Sequence, residues 1–179
     1  MRVLIIGTGY VGLNTGVVLA YLGHEVTCID LNEEKISRLR AGEVPIYEPH
    51  LNDLFAQIGP KMRFVSKYEE ARIPETDVIF IAVGTPSLED GNADLGYVRM
   101  AAESIAENLG EGFTVVVNKS TVPIGSGNWV GAVIKDHYEE FHGHKPNGRF
   151  AVVSNPEFLK QGAALFDSFY PDRIVIGSD

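Results

Sequence analysis

The chain has 179 residues, 45% apolar and 22% charged, with 19 glycines and a formal net charge of -9, the composition of one soluble domain with a full core. An acidic chain without a Lys/Arg cluster repels phosphate backbones and anionic lipid surfaces, which argues against nucleic acid or membrane as a partner. Cys28 is the only thiol, so an internal disulfide is excluded; with no secretory leader in view, a reducing, cytoplasmic setting is expected.

The first apolar run, in "MRVLIIG", is too short to cross a bilayer and ends in a glycine turn, so Met1 is expected to begin the folded domain. From there, β-branched apolar runs alternate with segments of helical period. Strands are predicted at 2–6, 25–29, 62–65, 77–83, 113–118, 150–154 and 173–177, with helices at 9–22, 33–40, 50–58, 95–109, 126–140 and 158–165. This alternation predicts an α/β chain, a Rossmann-like, doubly wound, mainly parallel sheet in a single domain. Two stretches read as irregular surface, "GTPSLEDGNAD" after the fourth strand and "HGHKPNG" before the sixth. His142 and His144 in the second lack further converging ligands, so they read as a solvated loop and no metal site is expected.

In "VLIIGTGYVGLNTGVVLAYLGHEVTCID", Gly7, Gly9 and Gly12 form G-x-G-x-x-G between a strand and a helix, and Asp30 ends the next strand, 18 residues beyond Gly12. Gly7 permits the tight turn, Gly9 lets backbone approach a pyrophosphate, Gly12 lets helix and strand pack closely, and the helix N-terminus supplies oriented N–H donors. Tyr10 and Val11 lie inside the same motif. Asp30 is placed to accept from the adenosine ribose hydroxyls and to repel a 2′-phosphate, which favours NAD over NADP. Lys35, five residues further on, either reaches the same ribose edge or is a solvated helix lysine. Gly84, Thr85 and Pro86 in "AVGTPS", and Ser120 and Thr121 in "VNKSTVPIGSG", stand at the exits of later strands, where open α/β sheets bind ligands. They are assigned to the nicotinamide half. In "SNPEFLKQGAA", Glu157 follows Asn155-Pro156 at the exit of the sixth strand, and reads either as an acid near a helix start or as an active-site carboxylate.

The stretches "GTGYVGL", "GEVPIYEPHL", "VGTPSLEDGNADLGYV", "KSTVPIGSG", "NPEFLKQGAA" and "PDRIVIG", in this order and spacing, resemble the N-terminal NAD-binding domain of the UDP-glucose/GDP-mannose dehydrogenase family, nearest its UDP-glucose 6-dehydrogenase members, over the whole of 1–179. The resemblance implies a four-electron oxidation of a sugar C6 alcohol to a carboxylate, with two NAD molecules reduced in turn. In that family a cysteine thiolate captures the intermediate and water hydrolyses the resulting thioester. Glu157 would then be the general base for that water, assisted by Thr121. Glu157, Phe158, Leu159, Lys160 and Gln161 would contact the nucleotide sugar, and Gln161 would also lie near the nicotinamide.

Two positions depart from the family pattern. Gln161 stands where glutamate is common, which removes a charge, and His50 stands where glycine is usual. Cys28 falls in the second strand on the adenosine side and reads as a core thiol. The family nucleophile, the connecting helix and the C-terminal UDP-binding domain are expected outside 1–179, so no turnover is expected of this chain alone. UDP-glucose is the expected substrate of the whole protein and a homodimer its expected state. GDP-mannose, UDP-N-acetylmannosamine and a role as a standalone nucleotide-binding module remain the alternatives.

Overall fold

Successive residues of β1 (Arg2–Ile6) point to opposite faces, and both faces are apolar: Val3 and Ile5 join one buried cluster, Leu4 and Ile6 another. Such a strand can only sit mid-sheet with helices on both sides. The computed structural model, which describes residues 1–178, places it there. The other strands are β2 (Glu25–Ile29), β3 (Arg63–Val65), β4 (Val78–Ile81), β5 (Thr114–Asn118) and β6 (Phe150–Ser154), in the order β3-β2-β1-β4-β5-β6. Every pairing in the sheet is parallel.

Parallel neighbours require crossovers. These are α1 (Tyr10–Tyr21), α2 (Glu33–Arg40) with α3 (Leu51–Ile58), α4 (Gly96–Asn108) and α5 (Ser126–His142), and α6 (Ala164–Phe169) follows β6. Helices α1 and α3 cover the face of Val3, Ile5 and Cys28; α4 and α5 cover that of Leu4, Ile6, Ile79 and Val116. Leu4, Ile5, Leu13 and Ile79 are fully buried, each contributing about 1.5–3 kcal/mol relative to exposure. The strand order reverses between β1 and β4, and that switch point opens a crevice at the carboxyl ends of the two strands.

Four expectations change. The run at 173–177 is not a seventh parallel strand: among the described residues it makes only an isolated antiparallel bridge, Gly177 with Ser154. Ile174 and Ile176 are both 67% exposed, because this run passes the edge of β6 with no helical layer over it; β-branched composition alone does not distinguish it from a ladder strand. The helix expected at 158–165 begins only at Ala164. Gly162, at φ 88°, breaks the path, and the Glu48 carboxylate takes the N–H groups of Gly162 and Ala164. Glu157 therefore lies in irregular chain between β6 and α6, and the reading of it as an early-helix acid falls. Helix α5 runs on to His142 and ends at Gly143 in the left-handed conformation, with the His142 ring against the Ala106 carbonyl. His50, at φ 64°, is left-handed at the start of α3; this explains why glycine suits the position, and the histidine costs about 1 kcal/mol there.

Candidate functional site

The glycine turn leaves β1 beside the end of β4, and each glycine has a separate cause. A Cβ on Gly7 (φ 97°) would stand 2.6 Å from the Ala82 carbonyl oxygen, and one on Gly12 would stand 1.9 Å from that of Gly7. These two are required by the fold itself. A Cβ on Gly9 would meet nothing within 4 Å, so the protein's own packing does not require that glycine, whereas a ligand lying against its backbone would. Tyr10, Val11 and Gly12 form the first turn of α1, which has neither a side-chain cap nor an acidic residue. Its leading N–H groups and positive dipole end are left for an anion. A cleft of about 370 Å³ opens here, lined by Gly7, Gly9, Asp30, Lys35 and Gly84 and by the large side chains of Tyr68, Tyr97 and Met100. The uncapped donors, the space at Gly9, a carboxylate in the lining and large side chains for a base to lie against together fit a dinucleotide.

Asp30 does more than the sequence suggests. Its Oδ2 accepts from Thr8 N at 3.0 Å, Thr8 Oγ1 at 2.8 Å and Lys35 Nζ at 2.6 Å, and Oδ1 accepts from Asn32 N at 3.1 Å. The carboxylate thus ties the glycine turn to the start of α2 and keeps only Oδ1 with acceptor capacity for a ribose. Burial alone would raise its pKa; the Lys35 ammonium and the Thr8 and Asn32 donors outweigh it and hold Asp30 below its ordinary value. Lys35 is thereby a paired residue of the cleft wall. Thr8, fully buried between the first two glycines, escaped sequence reasoning because it is an "x" of the motif.

The exits of β4 and β5 are tied together. Thr85 Oγ1 donates to the Thr121 carbonyl at 2.8 Å, and Ser120 Oγ donates to that of Val83 at 2.8 Å. Ser120 is buried and its hydroxyl serves the fold; Gly84 lines the cofactor cleft, while Pro86 and Thr121 are exposed. Among the described residues, no hydrogen bond joins Thr121 to Glu157.

A second cleft, of about 800 Å³, gathers Lys119, Asn155, Glu157, Phe158, Leu159 and Lys160. Glu157 Oε2 accepts from Leu159 N at 2.8 Å, which fixes the carboxylate and leaves Oε1 free of a backbone donor. The Arg173 guanidinium lies 4.6 Å from the centre of the Phe158 ring. Gln161 is exposed and lines neither cleft. Cys28, at 0% exposure, has a thiol pushed by burial up to about 12, so it is an inert core residue.

Two side chains that sequence reasoning passed over complete the site. Glu48, 4% exposed, accepts from the Tyr10 hydroxyl, from Gly162 N at 2.9 Å and from Ala164 N at 2.8 Å. It joins the first turn of α1 to the loop after Glu157. Burial pushes its carboxyl up, but these donors prevail and hold it below the usual range, while burial and the Glu48 contact push the Tyr10 phenol up to about 12. The other is Lys119, directly after β5. Both sit inside stretches quoted above, "IYEPHL" and "KSTVP", whose motif gave a place without a partner.

A family model described as UDP-glucose/GDP-mannose dehydrogenase family, NAD binding domain, matches residues 1–179. A UDP-glucose 6-dehydrogenase of Rhizobium meliloti is 50% identical over 100% of this chain and 40% of its own length. The Bacillus subtilis UDP-glucose 6-dehydrogenase YwqF is 44% identical over 99% of the chain and 39% of its own length. Among solved structures, a UDP-glucose dehydrogenase from Pyrobaculum islandicum superposes with TM-score 0.88 at 43% identity, covering 99% of this chain and 40% of that one. A GDP-mannose dehydrogenase from Pseudomonas aeruginosa gives TM-score 0.88 at 35% identity, covering 100% and 41%. The chain thus spans about 40% of the length of the relatives it matches.

Proposed function

The chain belongs to the UDP-glucose/GDP-mannose dehydrogenase family as its NAD-binding domain, and from that premise we propose that it is the cofactor-holding, base-bearing part of a UDP-glucose 6-dehydrogenase, whose thiol nucleophile and most of whose sugar-nucleotide contacts come from residues outside 1–179. NAD, when bound, supplies the hydride acceptor. In this reading the backbone of Gly7 to Gly12 and the first turn of α1 hold the pyrophosphate, and Asp30 with Lys35 meets the adenosine ribose. Gly84, Thr85, Pro86, Ser120 and Thr121 border the nicotinamide end, with Gln161 beside it.

Glu157 is proposed as the general base. With Oε2 held by Leu159 N, Oε1 takes a proton from water as that water attacks the acyl carbon of the thioester; the C–S bond then breaks, the electron pair leaving with the sulfur as thiolate and the acyl group as carboxylic acid, and Thr121 orients the base. Phe158, Leu159 and Lys160 form the wall against the sugar nucleotide, with Gln161 at its exposed edge. The carrying observation is that the Glu157 cleft and the glycine-turn cleft both open at carboxyl ends of the parallel sheet, while the one thiol is sealed beneath α1. UDP-glucose is favoured over GDP-mannose by the higher identity to UDP-glucose enzymes. A cytoplasmic setting, supported by the free thiol, and a homodimer of the whole protein belong to the same proposal.

The test joins residues 1–179 to the remaining sequence of the Rhizobium meliloti relative. The fusion is expected to form NADH from UDP-glucose, whereas residues 1–179 alone form none. In the fusion, Glu157→Gln is expected to lower steady-state turnover about 10²–10⁴-fold while an initial burst of NADH survives. Sustained turnover by the chain alone, or an undiminished rate in Glu157→Gln, contradicts the reading.

A further inference from the structure

Lys119 is anchored where β5 leaves the sheet, its N–H donating to the Ile81 carbonyl at 2.9 Å. Its side chain lines the 800 Å³ cleft. The ammonium donates to Asn155 Oδ1 at 3.1 Å, and the amide is held in that orientation because Asn155 Nδ2 donates to the Val175 carbonyl at 2.9 Å. One neutral acceptor is a thin return for a half-buried ammonium with three donors. Lys35, by contrast, is closed onto a carboxylate at 2.6 Å. Lys119 has no carboxylate within ion-pair distance among the described residues, although Glu157, two residues past Asn155, faces the same cleft.

The other charged groups of the cleft are Lys160, Asp167, Asp172 and Arg173. Asp167 is occupied by Lys160 N at 3.0 Å and Arg173 by the Phe158 ring. Burial lowers the Lys119 pKa and the Glu157 charge partly restores it. The two are electrically coupled without forming an ion pair among the described residues, and both line the cleft.

We propose that Lys119 is a positioning residue of the substrate cleft, aimed by Asn155 and set in the same cleft as Glu157, and that it offers its unused donors to oxygen atoms of the bound substrate. This rests on Glu157 being the base. Because Lys119 and Glu157 do not close into an ion pair among the described residues, Glu157 Oε1 stays open to water and the ammonium keeps donors for the substrate.

The test follows Lys119 by NMR of its Cε and Nζ nuclei through an alkaline titration of this chain. Wild type is expected to titrate below ordinary lysine, and Glu157→Gln is expected to move Lys119 further down while the other lysines stay in place. A Lys119 midpoint unmoved by Glu157→Gln overturns the proposal, whatever that variant does to turnover. In the fusion, Lys119→Met is expected to raise KM for UDP-glucose at least tenfold while KM for NAD stays unchanged, with Lys119→Arg restoring part of the loss. A Lys119→Met fusion with the wild-type KM for UDP-glucose also overturns the proposal. Full activity in the Glu157→Gln fusion sinks the base reading and this proposal together, so the two failures are distinguishable.

Discussion

Replacing Asp30 by alanine is expected to weaken NAD binding about ten- to a hundredfold and to lower the stability of the free chain by roughly 2 kcal/mol. The first effect follows from the loss of the charged acceptor for the ribose, since hydrogen bonds to a charged group contribute about 1.5–3 kcal/mol each and 1.4 kcal/mol is tenfold. The second follows from what Asp30 already holds: Thr8 N, Thr8 Oγ1, Lys35 Nζ and Asn32 N. The alanine leaves Thr8, fully buried in the glycine turn, without its acceptors. Asp30→Asn keeps the shape and one acceptor oxygen, so it is expected to retain most of the stability and still lose much of the affinity. Urea unfolding beside calorimetric NAD titration separates the two effects; an Asp30→Ala protein of wild-type stability would contradict the stapling role.

The largest loss of stability is expected at Glu48. Glu48→Ala removes a 4% exposed carboxylate, takes the acceptor from the Gly162 and Ala164 N–H groups, and leaves the Tyr10 hydroxyl only the Lys160 carbonyl at 3.4 Å. Unmet buried donors cost about 1–3 kcal/mol each, partly relieved by water, so a total of about 3 kcal/mol or more is expected. Glu48→Gln keeps one acceptor but turns an amide donor toward other donors, and should fall in between. The loop from Glu157 to Gly162 should loosen first, seen as faster amide exchange at Gly162 and Ala164 than at the strands. Wild-type exchange at those amides in Glu48→Ala would contradict the role of Glu48.

Acid should reproduce part of both effects. Asp30 and Glu48 are held below their ordinary values in the folded chain. A lowered carboxyl contributes stability that is complete above the unfolded value, about pH 4, and is lost as pH falls through the folded value. The sign is loss on acidification.

The strands and the cofactor turn were legible because their signals are local. Runs such as "RVLII" and "TVVVN" carry strand composition and double-sided burial in adjacent residues, and Gly7, Gly9, Gly12 and Asp30 fall within one βαβ unit. What escaped is carried by distant pairings. Glu48 meets Gly162 and Ala164 across 114 and 116 residues, and that contact also decides where α6 begins. The Lys119 side chain reaches Asn155 across 36 residues, and no periodicity encodes this. The run at 173–177 shows the converse failure, since its side chains suit a strand but no layer covers them. Composition proposes an element, and tertiary cover decides it.

The most direct measurement is calorimetric titration of the wild-type chain with NAD under conditions where circular dichroism shows it folded. One NAD per chain, with markedly weaker binding of NADP because Asp30 opposes a 2′-phosphate, is the predicted result. A folded chain that takes up no NAD at millimolar cofactor, or binds NADP as well as NAD, would contradict the account of the glycine turn and Asp30 on which the rest is built.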